Sequence, residues 1–159
     1  DGAILAIGTR TGGSPRVEPW PTPPFETTLR VIPASDGWVN ADAFEALCAG
    51  VYVVASTASR MAYPLDGPAV PLVVPMRPSS GTVHGAIQVL PSGKPVLLMA
   101  ECQTTGGYPV VGVVYGADLT HAAQVAPGES IRFVAGTRAE AVIALRQRDG
   151  TGEGGSVPG

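Results

Sequence analysis

The sequence predicts a mainly β protein: a small closed or nearly closed barrel carrying two or three short helices. Three observations lead there. Glycine (21) and proline (16) are far above their usual share of 159 residues, which disfavours long helices and favours short strands joined by tight turns. Apolar, β-branched runs recur about every 8–12 residues, separated by turn signals, and closing such strands into a barrel removes exposed edges. The hydrophobic share is 45%, too high for the glycine and proline to signal disorder.

From the start of the chain, Ile4 to Ile7 is a short strand-like piece. Residues 12–25 hold five prolines (Pro15, Pro19, Pro21, Pro23, Pro24). Each fixes φ and removes a donor, so this is an extended linker, with Trp20 an anchor onto the domain. The ordered domain begins near Thr27. Thr28 to Pro33 alternates as a strand. Asn40 is placed to cap a helix from Ala41 to Ala49, with Phe44, Leu47 and Cys48 on one face and Gly50 as the stop. Val51 to Ala55 is a strand. Arg60 to Leu65 is another, interrupted by Pro64, and Asp66-Gly67 is a turn. Between residues 68 and 81 four prolines restrict the chain to an edge or a loop.

Thr82 to Leu90 resumes as a strand, Pro91-Ser92-Gly93 turns it, and Lys94 to Ala100 and Val110 to Tyr115 follow as strands. Ala117 to Gln124 is a short helix with Asp118 near its start. Pro127-Gly128 is a turn, and Ile131 to Val134 a final strand. Thr137 and Glu140 form a T-x-x-E capping box. The helix they open runs to about Arg148, with Ala141, Ile143, Ala144 and Leu145 as its apolar positions. The last eleven residues hold five glycines and are expected to be disordered.

Net charge is −3, which provides no basic field for nucleic acid. No apolar run approaches the roughly 18 residues of a membrane span. Cys48 and Cys102 have no spacing that asks for a bridge, so two free thiols in the cytoplasm are the expectation. His84 and His121 have no Cys or His at ligand spacing, and no metal is expected. Nucleophile-elbow, P-loop and dinucleotide patterns are absent from the sequence.

One stretch stands out for its hydrogen-bonding capacity, Glu101-Cys102-Gln103-Thr104-Thr105-Gly106-Gly107-Tyr108-Pro109. It separates two strands and reads as the loop of a hairpin. Gln103 both donates and accepts, Thr104 and Thr105 bring hydroxyls, and Gly106 and Gly107 let a ligand approach bare main-chain N–H groups. Tyr108 adds a flat apolar face with a polar tip. The same residues also suit a plain chain reversal. Arg60 is either a two-pronged anchor for a carboxylate or phosphate or a solvated strand-edge arginine. Gln88, polar within an apolar strand, points either into the barrel lumen or outward.

Three segments together resemble the KipA-like, or allophanate hydrolase subunit 2, family, also known as the C-type subunit of 5-oxoprolinase and related to biotin-dependent carboxyltransferases. Residues 99–109 resemble its A-D-x-Q-T-T-G-G-Y-P signature, 85–89 its G-A-I-Q-V segment, and Ala117-Asp118-Leu119 with Pro127-Gly128 and Ile131-Arg132-Phe133 its S-A-D-L … R-P-G-D-x-V-R-F stretch. Ser59-Arg60-Met61-Ala62-Tyr63 is a degraded S-D-R-M-G-Y. The match covers about residues 28–148.

The resemblance implies a cyclophilin-like barrel over residues 27–148. It makes residues 1–26 the end of an absent N-terminal half plus the linker, and 149–159 a tail. It implies a ligand site shared with a KipI-like (allophanate hydrolase subunit 1) partner, and a LamB/YcsF-like subunit beyond. The implied activity is ATP-dependent amide opening on 5-oxoproline or an allophanate-like urea derivative, with ATP engaged together with the partners and biotin not expected. Gln103, Thr104, Thr105, Gly106, Gly107 and Tyr108 would line the site, with Arg60 and Gln88 nearby. The alternative is a non-catalytic regulator that binds a KipI-like kinase inhibitor. Ser59 in place of Asp or Asn, Ala62 of Gly, Pro64 of Arg and His84 of Pro are departures from the pattern, and the first removes an orienting partner from Arg60.

Overall fold

A computed structural model describes residues 26–34, 41–71 and 78–149. In chain order the elements are β1 (Glu26–Pro33), α1 (Ala41–Ala49), β2 (Val51–Val54), β3 (Ala62–Asp66), β4 (Ser80–Gly81), β5 (Ala86–Val89), β6 (Pro95–Leu98), β7 (Thr105–Gly106), β8 (Val110–Val114), α2 (Leu119–Ala122), β9 (Ser130–Ala135) and α3 (Arg138–Arg148). Seven strands close a barrel in the order β1-β8-β5-β6-β3-β2-β9, and β4 and β7 form a separate two-stranded sheet. The barrel shuts where β9 runs parallel to β1, with Leu29 opposite Phe133. The expected mainly β closed barrel with three short helices is therefore the fold. The strand at Ile4–Ile7, the linker, Trp20, the Asn40 cap and the tail from Gly150 lie outside the described residues.

Alternation along the strands builds the core, since successive side chains point to opposite faces. Leu29 and Val31 of β1, Tyr52 and Val54 of β2, Ile87 and Val89 of β5, and Ile131 and Phe133 of β9 meet inside, joined by Ala43 and Leu47 of α1. A second, smaller cluster is formed by the opposite face of β5, β6 and β8: Ala86, Leu98 and Val110 are buried, with Ala62, Val96, Cys102 and Val113 against them. All four residues of β5 are buried, so this strand has both faces covered over its whole length.

Local chemistry explains most boundaries and corrects a few. Pro64 lies inside β3, opposite Val96 of β6. Its carbonyl, which shares a side with the missing N–H, faces Ala55 just past the end of β2, where no ladder donor is required. Gly50 follows α1 as expected, but the reason is a close approach: a Cβ there would lie 2.6 Å from the Tyr52 hydroxyl oxygen. Thr82 to Gly85 is not strand; β5 begins only at Ala86. Val70 is buried and its N–H donates to Gly93 O at 2.9 Å, which holds residues 68–71 as an anchored loop. Asp118 starts α2 without a side-chain cap bond.

The capping box of α3 is formed in both directions: Thr137 Oγ1 accepts from Glu140 N–H at 3.2 Å, and Glu140 Oε2 accepts from Thr137 N–H at 2.8 Å. Its expected apolar face is not buried, however. No residue of α3 is buried, and Ile143 is 54% exposed. The helix is held by its cap, by the Tyr115 hydroxyl at its first turn and by Arg148 donating to Gly116 O at 2.7 Å.

Candidate functional site

The segment from Met99 to Pro109 is not a hairpin loop. β5 lies between β6 and β8 and is antiparallel to both, so β6 and β8 run parallel to each other. Joining parallel strands requires a crossover. The chain leaves β6 beside Ala86 and enters β8 beyond Gln88, so it runs the length of β5 across the outside of the barrel. This strap covers the outer face of β5.

Each end of the strap is pinned. At the start, Met99 N–H donates to Met61 O and Glu101 N–H to Arg60 O, both at 2.9 Å. At the end, Pro109 O accepts from Val89 N–H at 2.9 Å. Midway, Thr105 and Gly106 pair as β7 with Gly81 and Ser80 of β4. Thr82 N–H donates to Thr104 O at 3.0 Å, and the Thr82 hydroxyl donates to the main-chain oxygen of Gln103.

Gln88 shares a strand face with Ala86, opposite to the core-facing Ile87 and Val89. It therefore points outward, under the strap. It is 2% exposed, and its Oε1 accepts from Gln103 Nε2 at 3.5 Å. Gly106 lies directly on it: a Cβ at Gly106 would be 2.7 Å from Gln88 Nε2. That nitrogen is buried and has no hydrogen-bond partner among the described residues.

The sequence-derived residues are thus only partly brought together. Gln88, Gln103 and Gly106 form one contact group. Thr104 and Thr105 are exposed along the strap, and Tyr108 is half-buried. Gly106 is engaged in the β4–β7 ladder, but the N–H groups of Gly107 and Tyr108 have no partner among the described residues. Arg60 stands at the foot of the strap, where its guanidinium pairs with Glu101 at 2.8 Å, both side chains being mostly exposed. Cys102 is a half-buried free thiol in the outer apolar cluster. Thr82 was not picked out as a site residue from the sequence. Its signal, a hydroxyl just ahead of the Gly85–Val89 segment, is too common to mark it.

A second polar cluster lies where β1 meets β8 and α3. Asp118 accepts from Arg30 N–H at 2.8 Å and from Arg30 Nε at 3.0 Å, and Arg30 stacks 4.9 Å over the Tyr115 ring. The Tyr115 hydroxyl donates to Thr137 O at 2.9 Å. Burial pulls the Asp118 carboxyl up, but the Arg30 hydrogen bonds and charge outweigh it, and the group sits below the usual carboxylate range. Burial, then Glu140, pushes the Tyr115 phenol up. Arg30, Tyr115, Val134 and Glu140 line an open depression of ≈ 200 Å³. Arg30 is paired with Asp118, and the Glu140 carboxylate accepts from Thr137 and Tyr115, so these groups tie α3 to the barrel. Among the described residues no group of three or more His, Cys, Asp or Glu side chains converges to hold a metal ion, and no helix is long and apolar enough to cross a membrane.

Residues 1–135 match the family described as carboxyltransferase domain, subdomain A and B. The chain belongs to this family. Among curated relatives, it is 39% identical to the C-type subunit of 5-oxoprolinase from Haemophilus influenzae, over 62% of this chain and 32% of that protein. It is 35% identical to the corresponding 5-oxoprolinase protein of Escherichia coli, over 60% and 31%. The chain thus spans about a third of the length of these relatives. Among solved structures, TTHA0988 superposes with a TM-score of 0.62 at 37% identity, covering 71% of this chain and 22% of that one. The Kluyveromyces lactis urea carboxylase superposes with a TM-score of 0.71 at 19% identity, over 79% of this chain and 12% of that one, a likeness of fold.

Proposed function

We propose that this domain is part of an enzyme subunit of the 5-oxoprolinase type, and that the strap over β5 is its ligand-contacting edge. One observation carries the reading: a strap pinned at both ends and its middle leaves the Gly107 and Tyr108 N–H groups without partners among the described residues, on the same segment as an exposed Gln103. Two main-chain donors and a carboxamide on one segment suit a small molecule with a carboxylate and an amide, which is the make-up of 5-oxoproline. The names of the Haemophilus influenzae and Escherichia coli relatives support the same choice of substrate.

The chemistry available to this chain is binding and polarisation. Gly107 and Tyr108 N–H groups hold a carboxylate or the lactam oxygen. As the lactam carbon becomes tetrahedral its oxygen gains negative charge, and fixed main-chain dipoles stabilise that charge without reorganising. Gln103 orients the amide edge. Thr104 and Thr105 hydroxyls add exposed hydrogen-bonding groups along the same segment.

Among the described residues the strap offers main-chain donors and exposed hydroxyls, and the cation at its foot, Arg60, pairs with Glu101, which suits a small anion better than a triphosphate. ATP is assigned to a partner chain of the KipI-like type, whose surface would close the strap from outside, and no step on this chain passes through it. A biotin ureido ring presents similar donor and acceptor groups, and the substrate dependence of turnover separates the two.

The test is ATP-dependent ring opening of 5-oxoproline by this chain assembled with its partner subunits. Gln103→Ala is expected to lower kcat/KM about tenfold or more, the loss of one well-placed hydrogen bond. Turnover unchanged by both Gln103→Ala and Thr105→Ala would refute the role given to the strap.

A further inference from the structure

Gln103 is exposed on a surface strap, yet two residues outside the strap hold it. Its main-chain oxygen accepts from the Thr82 hydroxyl. Its side-chain nitrogen donates to Gln88 Oε1 at 3.5 Å. Thr82 further anchors the next residue by donating its own N–H to Thr104 O. A glutamine side chain left to itself loses rotamer freedom when it binds a ligand, and that entropy opposes binding. Here the loss is taken on folding.

We propose that Thr82 and Gln88 are positioning residues that pre-orient Gln103, with the side-chain oxygen of Gln103 presented outward as a hydrogen-bond acceptor. A carboxamide is planar, so directing its nitrogen down to Gln88 directs its oxygen away. The strap then carries an acceptor at Gln103, a few residues from the Gly107 and Tyr108 N–H groups that have no partner among the described residues. The inference rests on the strap being the ligand edge, and it adds residues and a hydrogen-bond polarity to that reading.

Gln88 is buried and its Nε2 has no partner among the described residues, a state that costs stability. Replacing it by an apolar residue of the same length removes both the orphan donor and the acceptor for Gln103. Such a replacement is near neutral or stabilising for the fold, but it frees the Gln103 side chain.

The experiment uses Gln88→Met, Thr82→Val and Thr82→Ser. Order of the Gln103 side-chain NH2 group is read by 15N relaxation in the 159-residue chain, and 5-oxoproline KM and kcat are read in the assembled enzyme. The expected result has four parts. Gln103 NH2 is rigid in the wild type, with contacts to Gln88. It becomes mobile in Gln88→Met while the urea midpoint holds or rises. KM for 5-oxoproline rises about tenfold, an effect the size of one hydrogen bond. Thr82→Val behaves likewise, and Thr82→Ser restores the wild-type values.

A mobile Gln103 in the wild type, or a Gln103 equally rigid in Gln88→Met, overturns the proposal. So does a Gln88 NH2 that donates to Gln103, which would reverse the outward polarity. A rigid, Gln88-dependent Gln103 in a chain whose Gln103→Ala variant turns over normally would uphold the positioning and refute the functional reading alone.

Discussion

Placing a methyl group at Gly106 tests the packing of the strap on β5. The Cβ would lie 2.7 Å from Gln88 Nε2 and 3.2 Å from Thr82 Cγ2. The first distance is roughly 1 Å inside ordinary van der Waals contact, and Gln88 is 2% exposed, so its amide has little room to withdraw. Overpacking of this kind costs about 1–3 kcal/mol. Gly106 is not among the described glycines with a positive φ, so alanine there also restricts the unfolded chain, which stabilises by about 0.4–1 kcal/mol. The net expectation for Gly106→Ala is a loss of about 1–2 kcal/mol.

In a Gln88→Ala background the clashing atom is gone. The same Gly106→Ala change should then be neutral or stabilising by about 0.4–1 kcal/mol. Urea unfolding of the four proteins of this cycle gives the coupling directly. The reversal of sign is the diagnostic result. If Gly106→Ala costs the same in both backgrounds, Gly106 does not rest on Gln88 and the strap does not lie over β5 as described.

Other consequences are smaller and more local. Thr137→Ala should remove about 1 kcal/mol of capping, and because no residue of α3 is buried, hydrogen exchange should rise over Arg138–Arg148 while the barrel amides keep their protection. Asp118→Asn should cost about 1–2 kcal/mol at neutral pH, less than a fully buried pair because the Arg30 side chain is 45% exposed. The folded-state pKa of Asp118 is depressed, so its contribution is present above the unfolded value near 4 and fades as pH falls through the folded value. Acid unfolding of Asp118→Asn should therefore show a shallower loss over that window than the wild type; an unchanged acid limb would refute the pairing. Arg60→Ala should change stability by less than about 1 kcal/mol, since its pair with Glu101 is exposed, and a larger loss in urea unfolding would show that the strap depends on it.

What was readable in advance followed from local chemistry. The start and end of α1, the strand at Val51–Val54, and the T-x-x-E box opening α3 match the sequence reading closely, because caps, turns and side-chain alternation act over a few residues. The burial of α3 was not readable. Its apolar residues follow a helical spacing, but spacing cannot say how much of the barrel the helix reaches.

The strap shows the same limit most clearly. Nine polar and glycine-rich residues between two apolar strands read as a hairpin, although that length exceeds the roughly 2–5 residues common in hairpin loops. Whether the two strands adjoin or flank a third is decided by β5, a distant segment, and by the non-local pairing that puts it between them. For the same reason Gln88 was open between lumen and exterior, and the ion pair between Arg30 and Asp118 joins residues 88 positions apart.

By itself, then, the sequence determined the β class, most element boundaries, the family motifs and the stretch where hydrogen-bonding groups concentrate. Only the tertiary structure decided that this stretch crosses β5, that Gly106 lies on Gln88, that Thr82 and Gln88 hold Gln103, and that Arg60 is already paired. The division has a physical cause. Propensity and capping are set by neighbours along the chain, whereas strand order and side-chain partnership are set by closure of the barrel, which no local segment encodes.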